Sequence, residues 1–455
     1  MSNVHFISIG GSVMHSLAIA LKNSGYNISG SDDKIYEPSL SRLKQNGICP
    51  KAFGWFPENI KPDLDFVILG MHAKLDNPEL LKAQDLQIKI YSYPEFIYQF
   101  SSKKTRIVIG GSHGKTSITS MILHVLNNNN INVDYVLGAQ LDGFENTVSL
   151  SKDNEFIIIE GDEYLSSPID MTPKFHKYKA NIALISGISW DHINVFSNQD
   201  IYNNQFSSFI ETIVDGGVLI YNELDNLVNN IVSENESFIR KIEYNLPKYF
   251  VLNNQIVIST DEGDLPLLIF GKHNLSNLEA ARKVCSLLGV FDQDFYTAIA
   301  SFTGASKRLE IIYKDSSNLL IRDFAHSPSK LTASVNATRE TFKDNFIIGV
   351  YELHTFSSLD PNFINQYSGS LDNCDLPIVF YDKKNKKLQD SNSINNKIIS
   401  NAFNIQNLII IDNSEDLFSY LMSIEYKKTC LLLMSSGNFG SMNIDKLKSY
   451  ISNES

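Results

Sequence analysis

The stretch "RIVIGGSHGKTSIT", Arg106 to Thr119, constrains the fold more than any other part of the chain. A run of β-branched residues leads into a glycine-rich turn, and the turn opens a segment with helical periodicity. Strand, loop and helix in that order are the setting of a phosphate-binding loop and belong to parallel α/β sheets. Gly111 and Gly114 let the backbone aim N–H groups at phosphate oxygens. Lys115 reaches the β and γ phosphates, and the Thr116 hydroxyl suits Mg²⁺. Ser112, His113 and Ser117 complete the loop. Ile109 stands where the usual loop keeps its first glycine, so it reads as the last residue of the feeding strand. The alternative is a glycine-rich turn with no ligand. The loop implies ATP or GTP and leaves the reaction open.

Around this unit the chain divides into three sections. Its 455 residues exceed one ordinary domain and suit about three. Residues 1–103 alternate strand and helix: "VHFISIG", a helix closed by Gly25, "YNISGSD", "FVILG" and "NPELLKAQDL". This section is expected to be Rossmann-like. After the charged break "SSKKT", residues 104–303 carry the phosphate loop and the strands "EFIIIEGDE", "ANIALISG" and "GGVLIYN". Residues 304–455 supply "NLLIRDF", "FIIGVYE", "PIVFYD", "NLIIID" and "CLLLMSS", a second Rossmann-like α/β section. The expected fold class is therefore α/β with mostly parallel sheets.

A net charge of −12 argues against nucleic acid or an anionic membrane as partner. Cys49, Cys285, Cys374 and Cys430 form no CxxC pair, which speaks against a zinc site or disulfide scaffold and suits a reducing compartment. The apolar N-terminus lacks a basic leader region and reads as strand, turn and helix. The cytoplasm is the expected location.

Other motifs are weaker alone. "GGSVM" has Gly10 and Gly11 but not the full G-x-G-x-x-G; it is either a diphosphate-binding turn or a tight turn with no ligand. Asp32 ends the second strand, where an acidic residue often meets a ribose hydroxyl. "FIIIEGDEY" places Glu160, Asp162 and Glu163 at a strand end, either as Mg²⁺ ligands or as a solvated turn. "ISWDHINVF" offers His192 as a metal ligand, a phosphate contact or a structural histidine. In "GKHNLSNLEAA", Asn274 and Asn277 share a helical face and either read a base edge or cap the helix.

Taken in order, these motifs resemble the Mur ligase family, ATP-dependent amide-forming enzymes of peptidoglycan synthesis, over essentially the whole chain. "GGSHGKTS" is similar to the family loop G-T-H-G-K-T-T, "EGDE" to E-A-D-E, and "DHINVF" to D-H-x-D-x-F/Y. "GKHNLSNLEAA" matches G-x-H-N-x-x-N-x-x-A-A, "GASKRLE" resembles G-x-x-R-R-x-E, and "RDFAHSPSK" resembles D-D-Y/F-x-H-H-P-T. The resemblance implies that residues 111–117 hold ATP, with Lys115 and Thr116 on phosphate and Mg²⁺. It implies that Glu160 and His192 bridge to metal at the γ-phosphate, that Asn274 contacts adenine and that Asn277 lines the nucleotide site. Arg308 would stabilise the transferred phosphoryl group, Asp323 meet the ribose and His326 lie near the nucleotide. Gly10, Gly11, Ser12 and Met14 would hold the diphosphate of a UDP-sugar, with Ser31 and Asp32 near its uridine. Lys307, Arg322, Ser327, His15 and Ser16 depart from the family pattern. No lysine lies between Asp191 and Arg240, so the carbamylated lysine of some members has no counterpart. That agrees with the branch acting on UDP-N-acetylmuramate.

The acceptor expected is the tripeptide L-Ala-γ-D-Glu-meso-diaminopimelate, because "YLSSPIDMTPKFHKY", "GSDDKIYEPS" and "LLLMSSGNFG" resemble the branch that uses it. L-Alanine is the alternative. The resemblance implies a monomer or weak dimer. Rival classes are a P-loop NTPase switch, which would hydrolyse without an acceptor, and a non-enzymatic sugar-nucleotide sensor.

Overall fold

The computed structural model describes residues 2–138, 144, 146–190, 195–383 and 394–453. Contacts divide the chain into two compact units: Met1–Asn245 with Ser276–Ala298, and Leu246–Leu275 with Ile299–Ser455.

The first unit opens with β1 (Asn3–Ile7), α1 (Ser12–Asn23), β2 (Asn27–Ser31), α2 (Ser39–Gln45), β3 (Phe66–Leu69), α3 (Pro78–Asp85), β4 (Lys89–Ser92) and α4 (Tyr93–Phe100). The strands form a parallel sheet in the order β2-β1-β3-β4. Order reverses beside β1, so the turn after it faces the crevice where such sheets bind ligands. Local signals set the helix ends. Gly25, at φ +88°, follows the close of α1. The Asn77 side chain accepts from the Glu79 and Leu80 N–H groups at the start of α3. Ser92 and Glu95 make a reciprocal capping box on α4, a device that contributes about 1 kcal/mol.

The unit continues with β5 (Thr105–Gly110), α5 (Lys115–Asn128), β6 (Asp134–Val136), β7 (Val148–Ser149), β8 (Phe156–Glu160), β9 (Leu165–Ser167), β10 (Asp170–Pro173), α6 (Lys174–Lys177), β11 (Ile182–Ile185), α7 (Gln199–Glu211), β12 (Val218–Asn222), α8 (Asn226–Glu234) and β13 (Arg240–Tyr244). The central sheet runs β13-β12-β11-β5-β8-β6-β7 and is parallel apart from β7. Ile107, Val108, Ile109, Ile157, Ile158 and Ile159 are fully buried, as strands covered on both faces require. β9 and β10 pair as a small antiparallel hairpin. The opening section and the central sheet share one apolar core, in which Tyr93, Phe96 and Ile97 meet Phe175 and Tyr178. Arg106 lies at the joint. Its Nε donates to the carbonyls of Tyr178 (2.9 Å) and Lys179 (3.0 Å), and its Nη1 to those of Ser101 (2.9 Å) and Lys104 (3.2 Å).

The second unit begins with β14 (Tyr249–Leu252), β15 (Gln255–Thr260) and β16 (Gly263–Pro266), an antiparallel meander. Then come α9 (Lys272–Leu287) and α10 (Asp292–Ile299), whose residues from Ser276 to Ala298 belong to the first unit. β17 (Glu310–Lys314), β18 (Leu319–Asp323), α11 (Pro328–Thr341), β19 (Phe346–Glu352), β20 (Leu376–Phe380), α12 (Asn396–Phe403), β21 (Ile409–Ile411), α13 (Ser414–Met422), β22 (Thr429–Met434) and α14 (Ile444–Asn453) complete it. Its main sheet is ordered β17-β18-β22-β19-β20-β21, with only the β17–β18 pair antiparallel.

The α/β class with mostly parallel sheets holds. Compactness changes hands between Ala298 and Ile299, and also between Asn245 and Leu246 and between Leu275 and Ser276. Residues 246–275 pack with the C-terminal section: Phe270 meets the Phe342 ring edge-on at 5.3 Å, and Tyr249 OH donates to Glu340 at 2.7 Å. All four cysteines are free thiols. Among the described residues no helix is long and apolar enough to cross a membrane.

Candidate active site

The carboxyl ends of β5, β8 and β11 converge on the turn between β5 and α5. β5 pairs with β8 on one side and β11 on the other, and Ser186 extends that ladder by donating its N–H to Gly110 O at 3.1 Å. The turn then takes conformations that need glycine. Gly111 sits at φ +127°, where a Cβ would lie 2.1 Å from Ser186 Oγ and 3.0 Å from Ser186 N. Gly114 caps α5 at φ +81°, and a Cβ there would lie 2.4 Å from Asn277 Oδ1. The opening turn of a helix has N–H groups without intrahelical partners at the positive end of its dipole. Such a cradle, too close-built for a single added Cβ, fits a nucleotide phosphate.

The side chains of the loop are ordered by neighbours distant in sequence. Ser112 N–H donates to Gly187 O at 2.9 Å, and Ser112 Oγ accepts from Ser189 N–H at 2.8 Å. The same oxygen lies 2.8 Å from Tyr202 OH. Ser186 Oγ donates to the His113 carbonyl. Lys115 Nζ donates to Glu163 Oε2 (2.7 Å) and to Gly111 O (2.5 Å). Thr116 Oγ1 donates to Glu160 Oε1 at 2.8 Å, while Glu160 Oε2 accepts from Gly138 N–H at 3.0 Å. Ser117 is buried on the first turn of α5. Burial alone would lower the Lys115 pKa; the charges of Glu163, Asp162 and Glu160 outweigh it and raise the pKa, so the ammonium stays charged. The Thr116 hydroxyl and Glu160 carboxylate together are a hard oxygen pair that fits Mg²⁺.

The three carboxylates after β8 take separate partners. Glu160 takes Thr116, Glu163 takes Lys115, and Asp162 accepts from Lys174 Nζ at 2.5 Å. Gly161 makes room for this sharp change of direction, since a Cβ there would meet Val108 Cγ1 at 2.8 Å. Asn277, buried on α9, lies against Gly114. His192 and its neighbour Asp191 lie outside the described residues. Among those described, no group of three or more His, Cys, Asp or Glu is arranged to hold a metal.

The turn after β1 is held by Asp32, whose Oδ2 accepts from Gly10 N–H at 2.8 Å. Burial raises the Asp32 carboxyl pKa, opposed by the N–H groups of Gly10 and Lys34 and aided by Asp33. Gly11 caps α1, and Ser12 is exposed on its first turn. Met14 lies against this turn, its Cγ 3.4 Å from where a Cβ on Gly11 would sit, whereas Ser31 does not present its side chain to it. Met14 is buried in the apolar core because it falls on the inner face of α1. Ser31 Oγ is buried 3.5 Å from His5 Nε2 and accepts from Asn59 Nδ2 at 3.2 Å. His15, one of the departures, is also buried; desolvation lowers its pKa, and Nδ1 lies 2.9 Å from Gly11 O.

The second unit gathers its own group. Arg308 lies over the Phe324 ring at 4.8 Å, between Lys307 and Leu309, both at positive φ. Asp323 accepts from Leu309 N–H at 3.1 Å and from Ser334 Oγ, so both its oxygens are engaged within the unit. His326 Nδ1 meets Phe324 O at 2.9 Å, and its carbonyl accepts from Tyr351 OH (3.0 Å) and Tyr367 OH (2.8 Å). Asn274 Nδ2 donates to Phe270 O at 2.9 Å, which is a helix-start bond. Arg322 pairs with Glu310 across β17–β18 at 2.8 Å, and Ser327 stands at the N-cap position of α11 without a side-chain capping bond. The roles of Tyr202 and Ser186 carried no sequence signal, because their neighbours are set by the tertiary fold alone.

Two family models match: Mur ligase family, catalytic domain, over residues 3–105, and Mur ligase middle domain, over residues 109–285. The UDP-N-acetylmuramate–L-alanine ligase of Sulfurihydrogenibium sp. (strain YO3AOP1) is 30% identical over 458 residues, covering 99% of this chain and 98% of that protein. Two solved structures share the fold. The UDP-N-acetylmuramate-alanine ligase of Thermotoga maritima has a TM-score of 0.69 at 19% identity, covering 100% of this chain and 99% of that one. A murein peptide ligase of Psychrobacter arcticus has a TM-score of 0.64 at 20% identity, with the same coverage.

Proposed function

The chain belongs to the Mur ligase family of ATP-dependent amide ligases, and we propose that it joins the lactyl carboxylate of UDP-N-acetylmuramate to the amine of L-Ala-γ-D-Glu-meso-diaminopimelate. The observation that carries the ligase reading is the pairing of Lys115 with Glu163 and of Thr116 with Glu160 around a glycine cradle. Such a loop is suited to presenting a γ-phosphate.

A free carboxylate is a poor electrophile, and phosphorylation gives it a leaving group. The lactyl carboxylate attacks the γ-phosphate of ATP and ADP departs. The amine nitrogen then attacks the acyl carbon of the resulting acyl phosphate, the C–O bond to phosphate breaks, and inorganic phosphate and a proton leave as the amide forms. Lys115 and Arg308 neutralise charge as the phosphoryl group moves. Thr116 and Glu160, with His192, would hold Mg²⁺, which supplies Lewis-acid neutralisation of the phosphates. Residues 1–103 bind the UDP-sugar through Gly10, Gly11 and Asp32, residues 104–303 bind ATP, and residues 304–455 bind the acceptor. The reading places the enzyme in the cytoplasm, acting on small molecules rather than on nucleic acid or membrane.

The tripeptide is supported by the segment after Glu163, "YLSSPIDMTPKFHKY". L-Alanine is a second reading, favoured by the name of the 30% identical relative. Phosphate release with UDP-N-acetylmuramate, ATP and Mg²⁺, offering each acceptor separately, tests both. Release that depends on the tripeptide is expected. Dependence on L-alanine alone would overturn the choice of acceptor, and release indifferent to either would sink the ligase reading.

A further inference from the structure

We infer that Tyr202 is a positioning residue for the nucleotide: it ties Ser112 and, through Glu163, Lys115 into one buried hydrogen-bonded chain that sets how tightly the loop holds phosphate. The inference rests on the ligase reading only in taking the loop to bind nucleotide.

Chemistry fixes the direction of every bond in the chain. A backbone N–H only donates, so Ser189 N–H gives to Ser112 Oγ at 2.8 Å. The Ser112 hydroxyl is then free to donate to Tyr202 OH at 2.8 Å. Tyr202 in turn donates to Glu163 Oε1 at 3.0 Å, because a carboxylate only accepts. On the other oxygen, Glu163 Oε2 receives Lys115 at 2.7 Å. The loop is thus anchored at Ser112 and Lys115, and both anchors reach the same carboxylate. Tyr202 is fully buried on α7, with ring edges against Phe196 and Phe206 at 5.4 Å each. Glu163 is only 1% exposed.

A nucleotide draws the Lys115 ammonium toward phosphate and away from Glu163. The carboxylate is too buried for bulk water to take over, so the Tyr202 hydroxyl stabilises its charge during that exchange. Without the hydroxyl, Glu163 depends on Lys115 more heavily and nucleotide must compete harder for the ammonium. Tyr202→Phe keeps the aromatic packing and removes the hydroxyl that makes this link.

Calorimetric titration with ADP and steady-state kinetics test it. Tyr202→Phe is expected to weaken ADP by about tenfold, the scale of a hydrogen bond to a charged group. The KM for ATP should rise by a similar factor, with kcat changed about threefold at most and the KM for UDP-N-acetylmuramate unchanged. Ser112→Ala breaks the same chain. The double variant should therefore lose about tenfold and not the hundredfold of independent sites. An ADP affinity within twofold of the unaltered protein, or multiplied losses in the double variant, overturns the proposal. If Tyr202→Phe does not fold, unchanged ADP affinity in Ser112→Ala does so alone. No ADP binding by the unaltered protein would overturn the phosphate-loop reading itself, and this inference with it.

Discussion

Replacing Gly111 with alanine is the sharpest probe of the cradle. At φ +127° an L-residue is strained by about 1–3 kcal/mol. The new Cβ would also sit 2.1 Å from Ser186 Oγ. That hydroxyl can rotate away, at the loss of its bonds to the carbonyls of Gly110 and His113, about 1 kcal/mol net. Rotation leaves the backbone contacts, Ser186 N at 3.0 Å and Gly187 N at 3.2 Å, which yield only if the end of β11 shifts. The cost is about 2–4 kcal/mol. It appears as lost stability if the loop keeps its shape and as lost nucleotide affinity if the loop relaxes. Gly114→Ala is the control, because its Cβ meets a side-chain end, Asn277 Oδ1 at 2.4 Å, with the next atoms at 3.3 Å or beyond. It should cost less. Thermal melts with and without ADP, together with calorimetry, separate the two channels. Gly111→Ala with unchanged melting and unchanged ADP affinity would refute the reasoning, as would a milder effect than that of Gly114→Ala.

Lys115→Met should cut phosphate release by about a hundredfold or more. It should also lower the melting temperature, because it takes the cation from buried Glu163. Glu160→Gln should raise the Mg²⁺ concentration needed for half-maximal release, measured by titrating the metal at saturating ATP; an unchanged midpoint would remove Glu160 from that role. His15, His176 and His273 are all held below the ordinary imidazole value, first of all by burial. The unfolded chain therefore takes up protons first, so stability should fall as the pH drops below 6.5, down to the lowered native values. Denaturant midpoints between pH 7.5 and 5 check this, and His176→Gln should flatten the slope. Asn318→Ala should destabilise by about 2–4 kcal/mol. It strands Tyr426 O and Thr429 N–H, which Asn318 serves at 3.1 and 3.0 Å with no exposure of its own. Chemical denaturation measures that loss.

Much of the fold was legible because its main strands are covered on both faces. "RIVIG", "FIIIE", "NIALI" and "CLLLM" can hardly be anything but buried parallel strands, and the helices between them start at readable caps. The meander β14–β16 was missed, although it carried a hint. Asn253 and Asn254 both take positive φ in the two-residue turn between β14 and β15, a conformation asparagine tolerates. β14 and β16 are half exposed or more, and the one buried run, Ile256 to Ile258 on β15, is only three residues long. In the site, the loop was readable because its conformation is local. The division of labour among Glu160, Asp162 and Glu163 was not, since the partners come from α5 and α6, elsewhere in the chain. Ser31 shows the converse: adjacency to a motif does not fix which way a side chain faces.

Arg106 changes how the charged stretch at residues 101–105 should be understood. Lysines and serines there suggest a tether. One guanidinium instead ties the carbonyls of Ser101 and Lys104 to those of Tyr178 and Lys179. To flex at this point the chain would have to break several charge-assisted bonds at once in a desolvated place. A protease in limiting amount would therefore find no early cut there, and grafting another Rossmann-like section at that boundary would need to carry the arginine's whole set of acceptors with it.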